Sequence, residues 1–197
     1  MFWMGLNFML IGYLLGSINS AIIVCKMMGL PSPRSIGSGN PGSTNVLRLG
    51  SKKAAALTLV GDVLKGVIPV GLAHAAHLPI DGICGVAVAA VLGHAYPLFF
   101  GFKGGKGVAT GLGVLLGIHP GLGLLVLLTW LIVAGCFRYS SLAALVATIL
   151  SPGYGYFLLD RNLNAALILF GMAVFIVFRH RENIRRLWKG EEKKIGK

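Results

Sequence analysis

Seven apolar runs, separated only by short polar connections, constrain this chain more than any other feature. They cover residues 2–28, 54–76, 82–100, 107–118, 121–136, 142–158 and 163–178. Several approach the roughly 20 residues that carry a helix across a bilayer. In hydrocarbon every backbone N–H and C=O must be paired within the segment, so such a chain folds as helices. The fourth run is short and glycine-rich and ends at His119-Pro120; it crosses only where neighbours shield it. The expected fold class is an all-α integral membrane protein of about seven transmembrane helices, one polytopic domain over residues 1–197. Only 12% of the residues are charged, against about a quarter in soluble domains, which leaves no room for a separate soluble domain.

Charge fixes the expected orientation. Seven spans put the termini on opposite sides. Arg179, Arg181, Arg185, Arg186, Lys189, Lys193, Lys194 and Lys197 crowd the C-terminal tail. Arg34, Arg48, Lys52, Lys53, Lys103, Lys106 and Arg138 fall in loops on that same side, and Arg161 on the other. Positive residues flank spans on the cytoplasmic side. The C-terminus and the large loops are therefore expected in the cytoplasm, and the N-terminus outside. Five spans with re-entrant segments give the same parity. This distribution accounts for the net charge of +12, and no nucleic-acid recognition motif accompanies it. The start, Met1-Phe-Trp-Met, lacks a basic n-region, so the first run reads as a retained span. Cys25, Cys84 and Cys136 show no metal spacing and read as small core residues. Glycines recur four apart at Gly12/Gly16, Gly107/Gly111, Gly113/Gly117 and Gly117/Gly121. Packing between helices of one chain is preferred to dimerisation as their reason.

Two glycine-rich basic loops interrupt the apolar runs. The first is Gly37-Ser-Gly-Asn-Pro-Gly-Ser-Thr-Asn-Val-Leu-Arg48 and the second Gly101-Phe-Lys-Gly-Gly-Lys-Gly-Val-Ala-Thr110. Glycines let backbone N–H groups approach an anion, and Arg and Lys supply countercharge. Residues 37–42 match G-x-G-x-x-G, but without the strand and βαβ unit a dinucleotide fold needs. Asn40 suits an N-cap and Pro41 a first helical position. A helix over 41–49 brings Thr44, Asn45 and Arg48 together. Its N-terminus, with Ser38 and Gly39, suits a phosphate. The second loop is no P-loop, because Gly107 follows Lys106 where Ser or Thr is required. Lys103 and Lys106 stand beside Gly104, Gly105 and Gly107, whose amides are open to a ligand.

Further polar residues sit where runs meet the cytoplasm. His180 and Asn183, at i and i+3, share a helical face that turns to the site or to lipid headgroups, the site being preferred. His94 reads equally as a structural or a site residue. Asp62 and Lys65 are charges inside a span, at a spacing that allows an ion pair. His74, His77 and His119 lie at the opposite end. There is no G-x-S-x-G elbow and no His followed five positions later by Asp; His77-x-x-x-Asp81 has the wrong spacing. No His/Cys cluster suggests a metal, and no cofactor is called for. A reaction here should therefore use an already activated donor and a phosphate-bearing acceptor.

Four blocks carry a family resemblance: Gly37-Ser-Gly-Asn-Pro-Gly-Ser-Thr-Asn45, Gly93-His-Ala-Tyr-Pro97 with Gly101-Phe-Lys-Gly-Gly-Lys-Gly107, Tyr139-Ser-Ser-Leu142, and Arg179-His-Arg-Glu-Asn183. In this order, over essentially the whole length, they resemble the bacterial acyl-phosphate:glycerol-3-phosphate acyltransferases, the PlsY (YgiH) family. Ser43 stands where the family usually has Ala, and Ala144 where some members have Ser, so no role is given to position 144. The resemblance implies a seven-helix inner-membrane enzyme with its site on the cytoplasmic face. It implies acyl transfer from acyl phosphate to the 1-position of glycerol 3-phosphate, giving lysophosphatidic acid, without acyl-CoA or acyl carrier protein. The implied partners are the two substrates, membrane lipid and the soluble enzyme that makes acyl phosphate. On this reading Arg48 and Lys106, with Ser38, Asn40 and the loop amides, bind the two phosphates. His180 and Asn183 orient glycerol 3-phosphate or polarise its hydroxyl, and Ser141 completes the polar wall. The acyl chain lies between helices. The rival readings are a transporter or binding protein for phosphorylated lipid precursors, which places its site near the midplane and often shows repeats, and a phosphotransferase, which uses carboxylates for Mg²⁺.

Overall fold

The computed structural model describes residues 2–195; Met1, and Lys197 of the basic tail, lie outside them. The first apolar run forms two helices with a break over residues 17–19. Helix α1 (Phe2–Gly16) gives way to α2 (Ser20–Met27). At the break Asn19 accepts from the Ile22 N–H at 3.1 Å and caps α2. The Ile18 carbonyl, left without a helical donor, instead accepts from Lys65 Nζ at 2.7 Å.

Helix α3 (Ser43–Leu47) is shorter than the 41–49 helix expected from Asn40 and Pro41. Its N-cap is Gly42, without a side-chain hydrogen bond. The reason lies in a tight turn: Gly42 N–H bonds the Asn40 carbonyl at 2.9 Å. That turn takes Asn40 out of capping position.

Helix α4 (Lys52–Ala75) starts on a Ser51 cap and runs antiparallel to α5 (Ile80–Ala95). A 3₁₀ turn, Leu98–Phe100, leads into the second glycine loop. Then follow α6 (Val108–Ile118), α7 (Pro120–Phe137), α8 (Ser140–Leu158), α9 (Leu163–Arg179) and α10 (Arg181–Trp188). Among the described residues five stretches are long and apolar enough to cross a bilayer: Trp3–Met27, Lys52–Ala75, Ile80–Phe100, Pro120–Phe137 and Ser140–Leu158. α9 passes the same test together with α10, from which it is bent by 58°. The fourth run forms α6, only 11 residues long.

Helix α1 packs on α5, α4 on α6, α7 on α8 and α8 on α9. Two of the recurring glycines show why. A Cβ on Gly16 would collide with the Ala90 carbonyl on α5, and one on Gly113 with the Val63 carbonyl on α4. Both serve backbone-to-backbone packing inside the chain. The outward faces of α4, α7 and α9 expose Leu64, Ile68, Leu128, Ile132, Phe170 and Val174, as lipid contact requires. Cys25 and Cys84 are buried as expected, whereas Cys136 is exposed. It lies on the outer face of α7, away from the buried Val126 and Ala134.

Candidate active site

Four segments distant in sequence meet at one end of the bundle. Arg34 Nη2, from the first glycine loop, donates to the carbonyls of Phe100, at 2.8 Å, and Lys103 in the second. Thr44 Oγ1 lies 3.4 Å from Ser140 Oγ at the start of α8. The tail returns to the same place, where Ile195 N–H bonds the Arg138 carbonyl at 2.6 Å. Between them opens a cleft of about 430 Å³.

The second glycine loop is held from behind. Gly104 and Gly105 donate their N–H groups to the carbonyls of Ala95 and His94 at 3.1 and 3.2 Å. Arg179 Nη2 takes the Gly105 carbonyl at 3.0 Å, and its guanidinium stacks 5.2 Å from the Tyr96 ring centre. The His94 ring covers Gly105 so closely that a Cβ there would strike its Nε2. Gly104 and Gly105 thus form the back of the wall, and Lys103 is exposed. Lys106 and Gly107, followed by Val108 and Ala109 at the start of α6, line the cleft. Gly107, at φ 90°, turns the chain into α6 and takes a conformation other residues rarely adopt.

The first loop is organised by Asn45, which is 2% exposed. Its Oδ1 accepts from Ser38 N–H at 3.0 Å, and its Nδ2 donates to the carbonyls of Pro33 and Ile36 at 2.7 and 2.9 Å. The amide is fully committed, so Asn45 shapes the loop from within the cleft wall. Ser38, Asn40, Thr44 and Arg48 line the cleft as well, whereas Gly39 stands outside its lining.

Helix polarity adds to the charge. The N-termini of α6, α8 and α10 lie at the cleft, and each lacks a side-chain cap. Elsewhere Asn19, Ser51 and Asn162 cap α2, α4 and α9, while α3, α5 and α7 also begin without a side-chain cap. Uncapped N–H groups and the positive end of a helix dipole favour an anion. The side chains of Arg48 and Lys106 make no hydrogen bond or ion pair among the described residues. Burial pushes the Lys106 ammonium down to about 8, with Glu192 opposing and Arg186, Arg48 and Arg179 adding to the shift.

His180 sits at the junction of α9 and α10 and is 2% exposed. Its Nδ1 lies 2.8 Å from the Ile176 carbonyl. That contact assigns the ring proton to Nδ1 and leaves Nε2 as an acceptor. Asn183, one turn on, is 4% exposed. Its Nδ2 donates to Glu192 Oε1 at 2.7 Å, and its Oδ1 has no partner among the described residues. Both residues line the cleft, as does Ser141.

Sequence reasoning missed Glu192. Placed in the basic tail, it turns inward and accepts from Ser141 Oγ at 2.8 Å, Asn183 Nδ2 at 2.7 Å and Arg186 Nε at 2.7 Å. Burial pushes its carboxyl up, but the bonds from Arg186, Ser141 and Asn183 outweigh that and hold it below the usual carboxylate range. Glu191 stands beside it and Glu182 lies on α10, so nothing local in the tail sets Glu192 apart. The structural roles of Arg34 and Arg179 were missed too. Deeper in, Lys65 Nζ pairs with Asp62 Oδ1 at 2.8 Å, the pair that their spacing allowed. His94 Nδ1 lies 3.7 Å from the same oxygen. Asp62 and His94 also line the cleft.

Beyond the polar mouth the lining is mainly apolar: Leu112 and Leu115 of α6, Val126 and Trp130 of α7, Ala144 and Ala147 of α8, Met172 of α9, with Thr148 and Ser151 of α8 among them. One cleft thus joins a cationic, donor-rich mouth to an apolar interior. Fold and site together define a multi-pass membrane protein built to hold an anionic amphiphile.

Comparison with known proteins gives the class its chemistry. Residues 6–190 match the family model of the glycerol-3-phosphate acyltransferases. A glycerol-3-phosphate acyltransferase of Thioalkalivibrio sulfidiphilus is 58% identical over 185 residues, which are 93% of this chain and 90% of the relative. One from Burkholderia multivorans is 57% identical over 188 residues, 95% of this chain and 89% of the relative. The crystal structure of PlsY (YgiH), an integral membrane glycerol 3-phosphate acyltransferase, in its glycerol 3-phosphate form superposes with a TM-score of 0.91 at 41% identity, covering 98% of this chain and 96% of that one. Its lysophosphatidic acid form gives 0.88, also at 41% identity, covering 98% and 95%. The chain belongs to the glycerol-3-phosphate acyltransferase family.

Proposed function

We propose that this protein transfers a fatty acyl group from acyl phosphate to the 1-position of glycerol 3-phosphate, giving lysophosphatidic acid and inorganic phosphate. This is the first acylation of bacterial phospholipid synthesis. The observation that carries the reading is the single cleft that joins the phosphate-binding mouth to the apolar interior. The glycerol 3-phosphate and lysophosphatidic acid forms of PlsY support the same substrate and product. Membership of an acyltransferase family leaves the transporter reading without support.

An acyl phosphate is a mixed anhydride, so the protein needs mainly to position two anions and stabilise charge. Arg48 and Lys106, with Ser38, Asn40, the Gly107 amide and the α6 N-terminus, bind phosphate. Thr44 and Ser141 complete the polar wall, while Asn45, Lys103, Gly104 and Gly105 maintain and flank the two loops. His180 and Asn183 orient the glycerol hydroxyl: Nε2 of His180 accepts its hydrogen bond. The hydroxyl oxygen attacks the acyl carbon, the bond from that carbon to the phosphate oxygen breaks, and the departing phosphate takes the proton. The acyl chain occupies the apolar interior.

On this reading the chain is a single seven-span domain over residues 1–197 of the bacterial inner membrane. α1 with α2 forms one span, and α6 is a short span shielded by α4 and α5. The N-terminus is outside and the cleft opens to the cytoplasm, where a soluble enzyme delivers acyl phosphate. Purified protein given glycerol 3-phosphate with palmitoyl phosphate or palmitoyl-CoA tests it. Lysophosphatidic acid is expected from the acyl phosphate alone. Product from the thioester alone would discard the donor; product from neither would discard the reaction.

A further inference from the structure

Helix α8 turns one face toward the cleft along its whole upper half. Ser141, Ala144, Ala147, Thr148 and Ser151 all line it, three or four residues apart save for the adjacent Ala147 and Thr148. All five side chains are small. The walls opposite are bulky: Leu115 on α6, Trp130 on α7 and Met172 on α9. Space in the apolar interior therefore exists because α8 gives way there, and each added carbon on that face would occupy it.

Ser151, the deepest of the five, is 1% exposed. It precedes Pro152, which lies inside the helix and lacks the N–H that would bond the Thr148 carbonyl. Ser151 Oγ bonds that carbonyl at 2.8 Å in its place. The hydroxyl is thus satisfied by its own helix and presents no free polar group to an acyl chain.

We propose that this face of α8 is a ruler that sets which acyl-chain lengths the protein accepts. The proposal rests on the acyl-transfer reading above. A helix rises about 1.5 Å per residue, so Ala144, Ala147 and Ser151 stand about 4.5, 9 and 15 Å below Ser141. An extended chain advances about 1.2 Å per bond, a third of the extended-residue repeat. The three positions therefore lie opposite about the fourth, seventh and twelfth bonds of a chain whose carboxyl end is at Ser141. A larger side chain at each should shorten the accepted chain to a different, calculable length.

The test is a matrix of donors and variants. The donors are hexanoyl, decanoyl and hexadecanoyl phosphate, with the matching CoA thioesters in parallel and lysophosphatidic acid as the readout. Ala147→Leu is expected to lower kcat/KM for decanoyl and hexadecanoyl donors relative to hexanoyl by about tenfold or more, the discrimination a filled apolar pocket gives. Ser151→Leu is expected to lower hexadecanoyl relative to decanoyl and spare the decanoyl-to-hexanoyl ratio. Because Ser151→Leu also frees the Thr148 carbonyl, Val126→Phe on α7 reaches a comparable depth from the opposite wall and should give the same pattern. Donor ratios equal to those of the parent protein in Ala147→Leu and Val126→Phe overturn the ruler, as does equal loss for every donor. Product from no donor at all overturns the reaction itself and the ruler with it.

Discussion

Glu192 Oε1 lies 2.7 Å from Asn183 Nδ2, a hydrogen bond between two side chains nine residues apart that closes the tail over the cleft. The same carboxylate takes Ser141 and Arg186. One anion thereby holds α8, α10 and the tail in register. It also fixes the Asn183 amide so that Oδ1, without a partner among the described residues, is left for a ligand.

Glu192→Ala should therefore destabilise the protein, by about 2 kcal/mol, since three donors lose a charged acceptor. A lowered midpoint of thermal unfolding in detergent checks it. Because the folded-state carboxyl is held below its usual range, this contribution is present above the ordinary carboxylate pKa and is lost as pH falls through the folded value. The parent protein should lose stability on acidification, and Glu192→Ala should show less of that loss.

Lys106 titrates near 8 because burial disfavours its charge. The cationic form, to which the proposed function assigns phosphate binding, is present below that value. For the free enzyme kcat/KM should fall as pH rises through about 8, since that profile reports the free protein's groups. Lys106→Arg should move the falling limb to much higher pH, because a guanidinium stays charged. A limb still at about 8 in the Arg variant would assign it to another group.

Mouth residues should separate by kinetic parameter. His180→Ala should reduce turnover by about 10²-fold or more, the scale of a lost proton-transfer or hydroxyl-orienting group. Arg48→Ala should raise the KM for glycerol 3-phosphate or for the acyl donor. Near-normal turnover in the first, or unchanged affinity for both substrates in the second, would falsify the assigned roles.

Asp62 and Lys65 are 2 and 6% exposed. Asp62→Asn leaves a buried ammonium without its counterion and should cost about 3–5 kcal/mol. Replacing both, as Asp62→Leu with Lys65→Met, removes the charge together with its partner and should recover most of that loss. Thermal unfolding of the two variants side by side decides it.

The sequence by itself determined what local chemistry determines. Long apolar runs can fold in lipid only as helices, and each of the seven runs is helical. The small residues at Gly16 and Gly113 announced close helix packing. The i, i+3 spacing of Asp62 and Lys65 allowed an ion pair that does form. Parts of the two glycine loops and the His180–Asn183 pair line the cleft, whereas Gly39, Lys103, Gly104 and Gly105 do not. Tertiary structure decided the rest, because it depends on groups far apart in the chain. Nothing in the first loop announces that Asn45 spends its whole amide on that loop, or that a turn at Asn40 shortens α3. Nothing near residue 104 announces that Arg34 and Arg179 hold the loop carbonyls and turn Gly104 and Gly105 to the back of the wall. Glu192 looks like a solvated tail charge until the chain folds back and surrounds it with donors. The length of the apolar interior exists only where the small face of α8 meets the bulky walls of α6, α7 and α9. A helix face can be read from spacing; what stands opposite it is set by packing.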